Sequence, residues 1–440
     1  MKRVLALLVV AAWVVPTAVS VRASTSIRVQ RRNTTPMPAF RPGQAIVKFQ
    51  TATSQGVTER AIQEAGGLRA RRSAYGGHYV VYLDPSVTVD GAVAYFRSLP
   101  EVEYAEPNGM VRKALRPNDQ FFRFQWNMEQ IGAERTWDIQ RGSTDVAVAV
   151  VDTGIAYEDF GPFRRAPDWG GRAFLQGFDF VNGDTHANDD DSHGTHVAST
   201  IGEATDNQEG VAGLAFDCAL MPVKVLDNEG FGTFFDVAEG IDYAINFSQN
   251  GGRPVKVINL SLGGSSPSEA VRRALDRAEA AGVVVVAAAG NAGERSIDFP
   301  AAYPSVIAVG ALDQRKQRAP YSNFGPELDV VAPGGNLDRD DNGDGDVDGV
   351  LQQTFDPDAA HNQGRFDDFA YWYFEGTSQA TPHVAALAAL LMTQGITSPA
   401  AVRAAIEQTA EDLGSPGRDD DFGHGLIRPD QALKGLGLNQ

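Results

Sequence analysis

The sequence predicts an α/β chain: a three-layer domain around a mainly parallel sheet, preceded by a small ferredoxin-like α+β domain. Three observations carry this. Two β-branched, apolar runs, residues 146–151 and 283–289, are bounded by glycine and read as strands buried on both faces of a parallel sheet. A run of small and apolar residues, 384–391, follows Gly376-Thr377-Ser378 and reads as a buried helix. Ahead of both, residues 43–111 set short strands and helices in β-α-β-β-α-β order.

From the N-terminus, Met1-Lys2-Arg3 and the apolar run 4–15 predict a signal peptide over 1–23, with small residues at Ala18, Ser20 and Ala23 as cleavage points. Residues 24–42 read as a basic, polar linker. The small domain spans 43–115, with strands at 45–49, 68–72, 79–83 and 102–108 and helices at 57–65 and 89–98. Residues 116–440 form the large domain. No other run is long enough to span a bilayer, so the expectation is a secreted, extracellular protein, reached through a periplasm where there is one, with no membrane association after signal removal. The single cysteine, Cys218, permits no internal disulfide and reads as a small buried filler.

Charge divides the chain at the same place. Residues 1–115 hold 15 Lys and Arg against 7 Asp and Glu, a net of +8, which leaves −26 for residues 116–440 of a chain carrying −18. Opposite charges favour association of the two parts. A strongly acidic large domain argues against nucleic acid and anionic membranes as partners.

The chemistry lies in four segments of the large domain. Ser378 stands where a helix begins, and free N–H groups there favour negative charge. A serine hydroxyl needs a base, and His193, in Asp191-Ser192-His193-Gly194-Thr195-His196, is the candidate. Asp152 ends the first apolar run and can orient that imidazole; Asn291 ends the second and can donate to an oxyanion. Strand ends on the carboxyl side are where ligands of such sheets gather. A zinc pair of His193 and His196 is disfavoured, since the spacing and glutamate of a helical zinc motif are absent, and His196 reads as a packed structural residue.

In order, these segments resemble the subtilisin-like serine proteases, the subtilases, over about residues 121–429. Asn259-Leu260-Ser261-Leu262-Gly263-Gly264 resembles the family strand that pairs with extended substrate, and Phe299-Pro300-Ala301-Ala302-Tyr303-Pro304 its loop with a cis proline. The resemblance implies a serine endopeptidase acting on polypeptides with Asp152, His193 and Ser378 as the triad and Asn291 in the oxyanion site. It places Ser261, Leu262, Gly263, Ala289 and Gly290 along the substrate and implies broad cleavage after large apolar residues. Residues 43–115 resemble the family propeptide, an intramolecular chaperone and inhibitor removed by autoprocessing between about Lys113 and Asn118. A monomer without organic cofactor is expected. Gln379 departs from the methionine usual after the nucleophile. A non-catalytic binding protein on the same scaffold is the alternative, and retention of all four chemical groups argues against it.

The calcium candidate is the loop Asp340-Asp341-Asn342-Gly343-Asp344-Gly345-Asp346-Val347-Asp348. Asp340, Asn342 and Asp344 match the first oxygen positions of an EF-hand loop, but its twelfth position is Leu351 instead of glutamate, so Asp346 or Asp348 must supply the remaining oxygens. Asp159 with Asp206 and Asn207, and Asp184 with Asp189 and Asp190, are weaker groupings.

Overall fold

The computed structural model describes residues 19–21, 40–109, 115–249 and 255–435. They divide into two compact units, one of Gln30–Lys113 and one of Met1–Val29 with Ala114–Gln440. The expected signal peptide and linker lie outside the described residues except for 19–21 and 40–42. Val19–Val21 (β1) pairs antiparallel with Tyr371–Tyr373.

The smaller unit runs β2 (Phe40–Phe49), α1 (Gln55–Glu64), β3 (Gly67–Arg72), β4 (Tyr79–Leu83), α2 (Val89–Arg97) and β5 (Val102–Gly109). Its sheet is antiparallel in the order β3-β4-β2-β5. Alternation along β2 and β4 turns Ala45, Val47, Phe49, Val81 and Leu83 inward, where they meet Val93 and Phe96 of α2. Thr88 caps α2 by accepting the Gly91 N–H. Strand β2 begins at Phe40, inside the stretch expected to be linker. Pro42-Gly43 reads as a break, yet the ladder absorbs it as a register shift between Phe40 and Ala45, with Gly43 at φ +67°.

The larger unit opens with α3 (Trp126–Gln130) and α4 (Ala133–Trp137), then β6 (Ala147–Asp152), β7 (Phe178–Asp179), α5 (His193–Gly202), β8 (Ala219–Lys224) and α6 (Phe234–Gln249). It continues with β9 (Val255–Leu260), α7 (Glu269–Ala280), β10 (Val284–Ala288), β11 (Val306–Leu312) and β12 (Val330–Pro333). The hairpin of β13 (Val350–Phe355) and β14 (Phe369–Phe374) encloses α8 (Pro357–Gln363), and α9 (Thr377–Thr393), α10 (Pro399–Thr409) and α11 (Pro429–Ala432) close the unit.

Seven strands form one parallel sheet in the order β12-β11-β10-β9-β6-β8-β7. The expected three-layer α/β architecture is therefore the one observed. Strand β6 has β9 on one side and β8 on the other, so strand order reverses there, and its carboxyl end is the natural place for a site. Helix α9 crosses β9 to β12 and packs against α5. It can lie so close because Ala385, Ala386, Ala388 and Ala389, all fully buried, keep its contact face small.

Candidate active site

Asp152 is the last residue of β6 and fully buried; His193 is the first residue of α5. Asp152 Oδ1 lies 2.7 Å from His193 Nδ1 and also accepts the Thr153 N–H. A carboxylate only accepts, so Nδ1 carries the proton and Nε2 presents a lone pair. Burial lowers the affinity of the ring for a second proton. The charge and hydrogen bond of Asp152, with the charges of Asp191 and Asp189, outweigh it and lift His193 to about 9.

This pair is held by a knot of hydrogen bonds around Asp189, which is fully buried. Asp189 Oδ1 accepts the Thr153 hydroxyl at 2.8 Å and the N–H groups of Asp191 and Ser192 at 3.0 Å. Its Oδ2 accepts the Thr195 N–H and hydroxyl at 2.9 and 2.6 Å. Strand end and helix start are thus tied to one carboxylate. Two glycines allow the approach: a Cβ at Gly194 would strike the carbonyl of Gly154, and Gly154 itself sits at φ +111° against Asn188.

Neighbouring Asp190 is bonded to the buried ammonium of Lys224 at 2.5 Å, which also donates to the carbonyls of Thr153 and Leu226. Asp184 caps the His186 N–H. Asp184, Asp189 and Asp190 are consequently engaged in structural contacts and do not gather as a cation site.

Ser378 lies in the first turn of α9. Its hydroxyl donates to the Ser261 carbonyl at 2.9 Å, and the Ser261 hydroxyl donates to the Ser378 carbonyl at 2.8 Å. Among the described residues no hydrogen bond joins Ser378 to His193. Asn291 follows β10, with Oδ1 accepting both the N–H and the hydroxyl of Thr377 at 2.8 Å. Its exposed Nδ2 has no hydrogen-bond partner among the described residues. Ser261, Leu262 and Gly263 continue from β9, and Ala289 and Gly290 from β10, so all five come to adjoining strand ends. Gly264 exchanges hydrogen bonds with Phe299, and the Phe299–Pro300 peptide is cis. Gln379 is buried, and its carbonyl accepts from His383 Nδ1. His196 stacks on Phe374, with Nε2 between the carbonyls of Val350 and Trp372.

In the acidic loop, Asp340 accepts the N–H groups of Gly343, Asp344 and Gly345, and Asp348 accepts that of Asp341. The amide of Asn342 donates to Asp344. Asp341 is paired with Arg315 and Arg339, whereas burial and the charges of Asp344 and Asp340 raise Asp346. The expected twelfth position, Leu351, lies inside β13 and is fully buried, so the strand cuts the loop short. Among the described residues no three His, Cys, Asp or Glu side chains converge on one point, so a cation here would also draw on amide and carbonyl oxygens.

Asp159, expected beside Asp206 and Asn207, instead accepts the Arg165 N–H. The buried carboxylates Asp119 and Asp168 take its place. Asp119 accepts the N–H groups of Asp206 and Asn207, and Asp168 accepts the Asn207 amide and the Val211 N–H. Burial pushes Asp119 up to about 7, and burial with the charge of Glu203 raises Asp168. Nothing local in the sequence marks them, because their partners stand 39 to 88 positions away.

Comparison with known proteins is consistent with this arrangement. Residues 143–425 match the model of the "Subtilase family", and residues 28–108 that of the "Fervidolysin N-terminal prodomain". The chain is 36% identical over 380 residues to a thermophilic serine proteinase of a Bacillus species, covering 86% of this chain and 84% of the relative. It is 36% identical over 302 residues to thermitase of Thermoactinomyces vulgaris, covering 68% and 94% respectively. A solved structure of a protease from Pseudoalteromonas arctica superposes with TM-score 0.63 at 32% identity, covering 72% of this chain and 98% of its own.

Proposed function

The chain belongs to the subtilase family and is a serine-type endopeptidase with a family prodomain; from that premise we propose that Ser378, His193 and Asp152 carry the reaction and that the protein is secreted as a self-processing precursor. The observation that carries the assignment is the 2.7 Å contact between Asp152 and His193, which fixes the proton on Nδ1 and leaves Nε2 as the base.

In this reading, the Ser378 hydroxyl turns about χ1 from the Ser261 carbonyl to His193 Nε2. As it gives up its proton, Oγ adds to the scissile carbonyl carbon, and the carbonyl oxygen takes the negative charge. The oxyanion receives hydrogen bonds from Asn291 Nδ2 and the Ser378 N–H, at the positive end of α9. The imidazolium, held by Asp152, protonates the departing amine. Water then repeats the sequence on the acyl-enzyme and releases Ser378. Holding Asn291 by its oxygen keeps its donor aimed without reorganisation during the reaction.

Residues 43–115 act as chaperone and inhibitor of residues 116–440, and the junction is cut by the chain's own site. The acidic loop fits calcium in its donor set: Asp340, Asp344, Asp346 and Asp348 with the Asn342 amide oxygen are hard oxygen ligands, and Asp340, Asp344 and Asp346 have no cationic partner among the described residues. Bound there, calcium would neutralise the loop and brace β13. Among the described residues no helix is long and apolar enough to cross a membrane.

Expression of Ser378→Ala in a protease-free host tests the proposal. The variant should accumulate as precursor of full post-signal length, while the natural protein matures and is labelled by a serine-reactive phosphonate. Normal maturation of Ser378→Ala would overturn self-processing, and labelling undiminished in that variant would overturn the assignment of Ser378.

A further inference from the structure

We propose that Asp298 makes the slot beside Ser378 selective for a cationic side chain, so that this endopeptidase prefers lysine or arginine immediately before the cleaved bond. The inference rests on the endopeptidase reading above and departs from the apolar preference that the family resemblance implies.

The slot is defined by contacts to the nucleophile. Ser261 accepts the Ser378 hydroxyl, Asn291 accepts the Thr377 N–H, and the Gly290 N–H donates to the Thr377 hydroxyl. Gly263 and Gly290 stand within two residues of these anchors. The space next to them is therefore the first that a substrate residue bonded to Ser378 can enter with its side chain.

Neither glycine contributes a side chain, and Asp298 faces both. A Cβ added at Gly290 would strike the Asn323 amide nitrogen and the Asp298 carboxylate, and one added at Gly263 would lie 3.2 Å from Asp298 Cβ. Asp298 is fixed by its backbone: its N–H donates to the Ala289 carbonyl, and the next residue, Phe299, is paired with Gly264. The carboxylate itself has no hydrogen bond and no ion pair among the described residues. Among the described residues the charge that acts on it is that of Glu294, of the same sign.

A half-buried carboxylate beside a second acid, in a slot walled by glycine, lacks a cation. A lysine or arginine side chain lays its apolar stem along such a wall and brings its charged head to the acid. The sequence offers a substrate of this kind. Arg112-Lys113 immediately precedes Ala114, where the two compact units divide.

The test uses the mature natural enzyme and three peptides that differ only in the residue before the scissile bond: arginine, its neutral isostere citrulline, and phenylalanine. The expected kcat/KM for arginine exceeds that for citrulline roughly tenfold or more, the order of one charge-assisted hydrogen bond. Asp298→Asn should reduce this ratio to within about twofold of unity by lowering kcat/KM for the arginine peptide. Cleavage of phenylalanine and citrulline peptides at rates equal to arginine would overturn the inference and leave the endopeptidase reading intact. Failure to cleave any of the three would overturn both. Should Asp298→Asn not fold, the arginine-to-citrulline ratio of the natural enzyme decides alone.

Discussion

Ser261 and Ser378 satisfy one another: each hydroxyl donates to the other's carbonyl, at 2.8 and 2.9 Å. Pro382 explains half of this exchange. It lies four residues after Ser378 inside α9 and has no N–H, so the Ser378 carbonyl lacks its helical donor, and the Ser261 hydroxyl supplies one. The Asn259 amide in turn donates to that hydroxyl at 3.0 Å.

Replacing Ser261 with alanine should therefore cost stability as well as rate. It strands the Ser378 carbonyl and the buried Asn259 amide, and an unmet buried group costs about 1–3 kcal/mol. Ser261→Ala should melt several degrees lower, read by calorimetry on the Ser378→Ala background to avoid autolysis. An unchanged melting temperature would show that neither group depends on Ser261.

The pH dependence follows from His193. Its proton is held more tightly than in free imidazole, whose pKa is about 6.5, and its folded value stands at about 9. The protonated form cannot act as base, so kcat/KM should rise with pH along a limb whose midpoint lies above 6.5 and towards 9. Asp152→Asn removes the charge that raises His193, so the limb should move to lower pH while the maximal rate collapses. A limb at or below pH 6.5 in the natural enzyme would contradict this electrostatic account.

On the proposed mechanism, Asn291→Ala removes one oxyanion donor, and it leaves Thr377 without its acceptor. The expected loss is about 10²–10³ in kcat with little change in KM, because the donor acts on charge that develops only in the transition state. A loss below about threefold would place Nδ2 outside the reaction.

Chelation should lower the melting temperature and hasten autolysis, since a cation bound only to the folded state stabilises it by mass action. Asp344→Ala should abolish the larger part of the difference between excess EDTA and millimolar calcium. Equal melting temperatures in the two conditions would remove calcium from the description; a difference that survives Asp344→Ala would point to the buried pair Asp119 and Asp168 instead.

The sheet, and the position of the candidate residues at the carboxyl ends of its inner strands, were legible because the strands are buried on both faces. Two of them read as short apolar runs, and the polar residue that closes each run marks its carboxyl end: Asp152 as the last residue of β6 and Asn291 just beyond β10. Strand β9 carries Lys256 and Asn259 within it, so Ser261 at its end was legible only through the family resemblance. What escaped was set by distant partners. Asp119 and Asp168 look like ordinary turn acids until the loop 206–211 closes on them. Asp189 and Asp190 looked like free oxygen donors because Thr153, just past β6, and Lys224, at the end of β8, which occupy them, are distant in sequence. The aromatic run Phe369–Phe374 carries no alternation that would set a register, and its role as the partner of β13 emerges only from pairing.

The Asp189 knot has a consequence for how the enzyme fails under heat. Helix ends ordinarily fray first, and a catalytic residue at position one of a helix would be expected to wander before the rest melts. Here five donors from both sides of the Asp152–His193 pair end on one interior carboxylate, so His193 cannot be released without dissolving the strand terminus beneath it. Residual activity during thermal challenge should thus be a gauge of intact molecules, falling in step with the cooperative melt and never ahead of it.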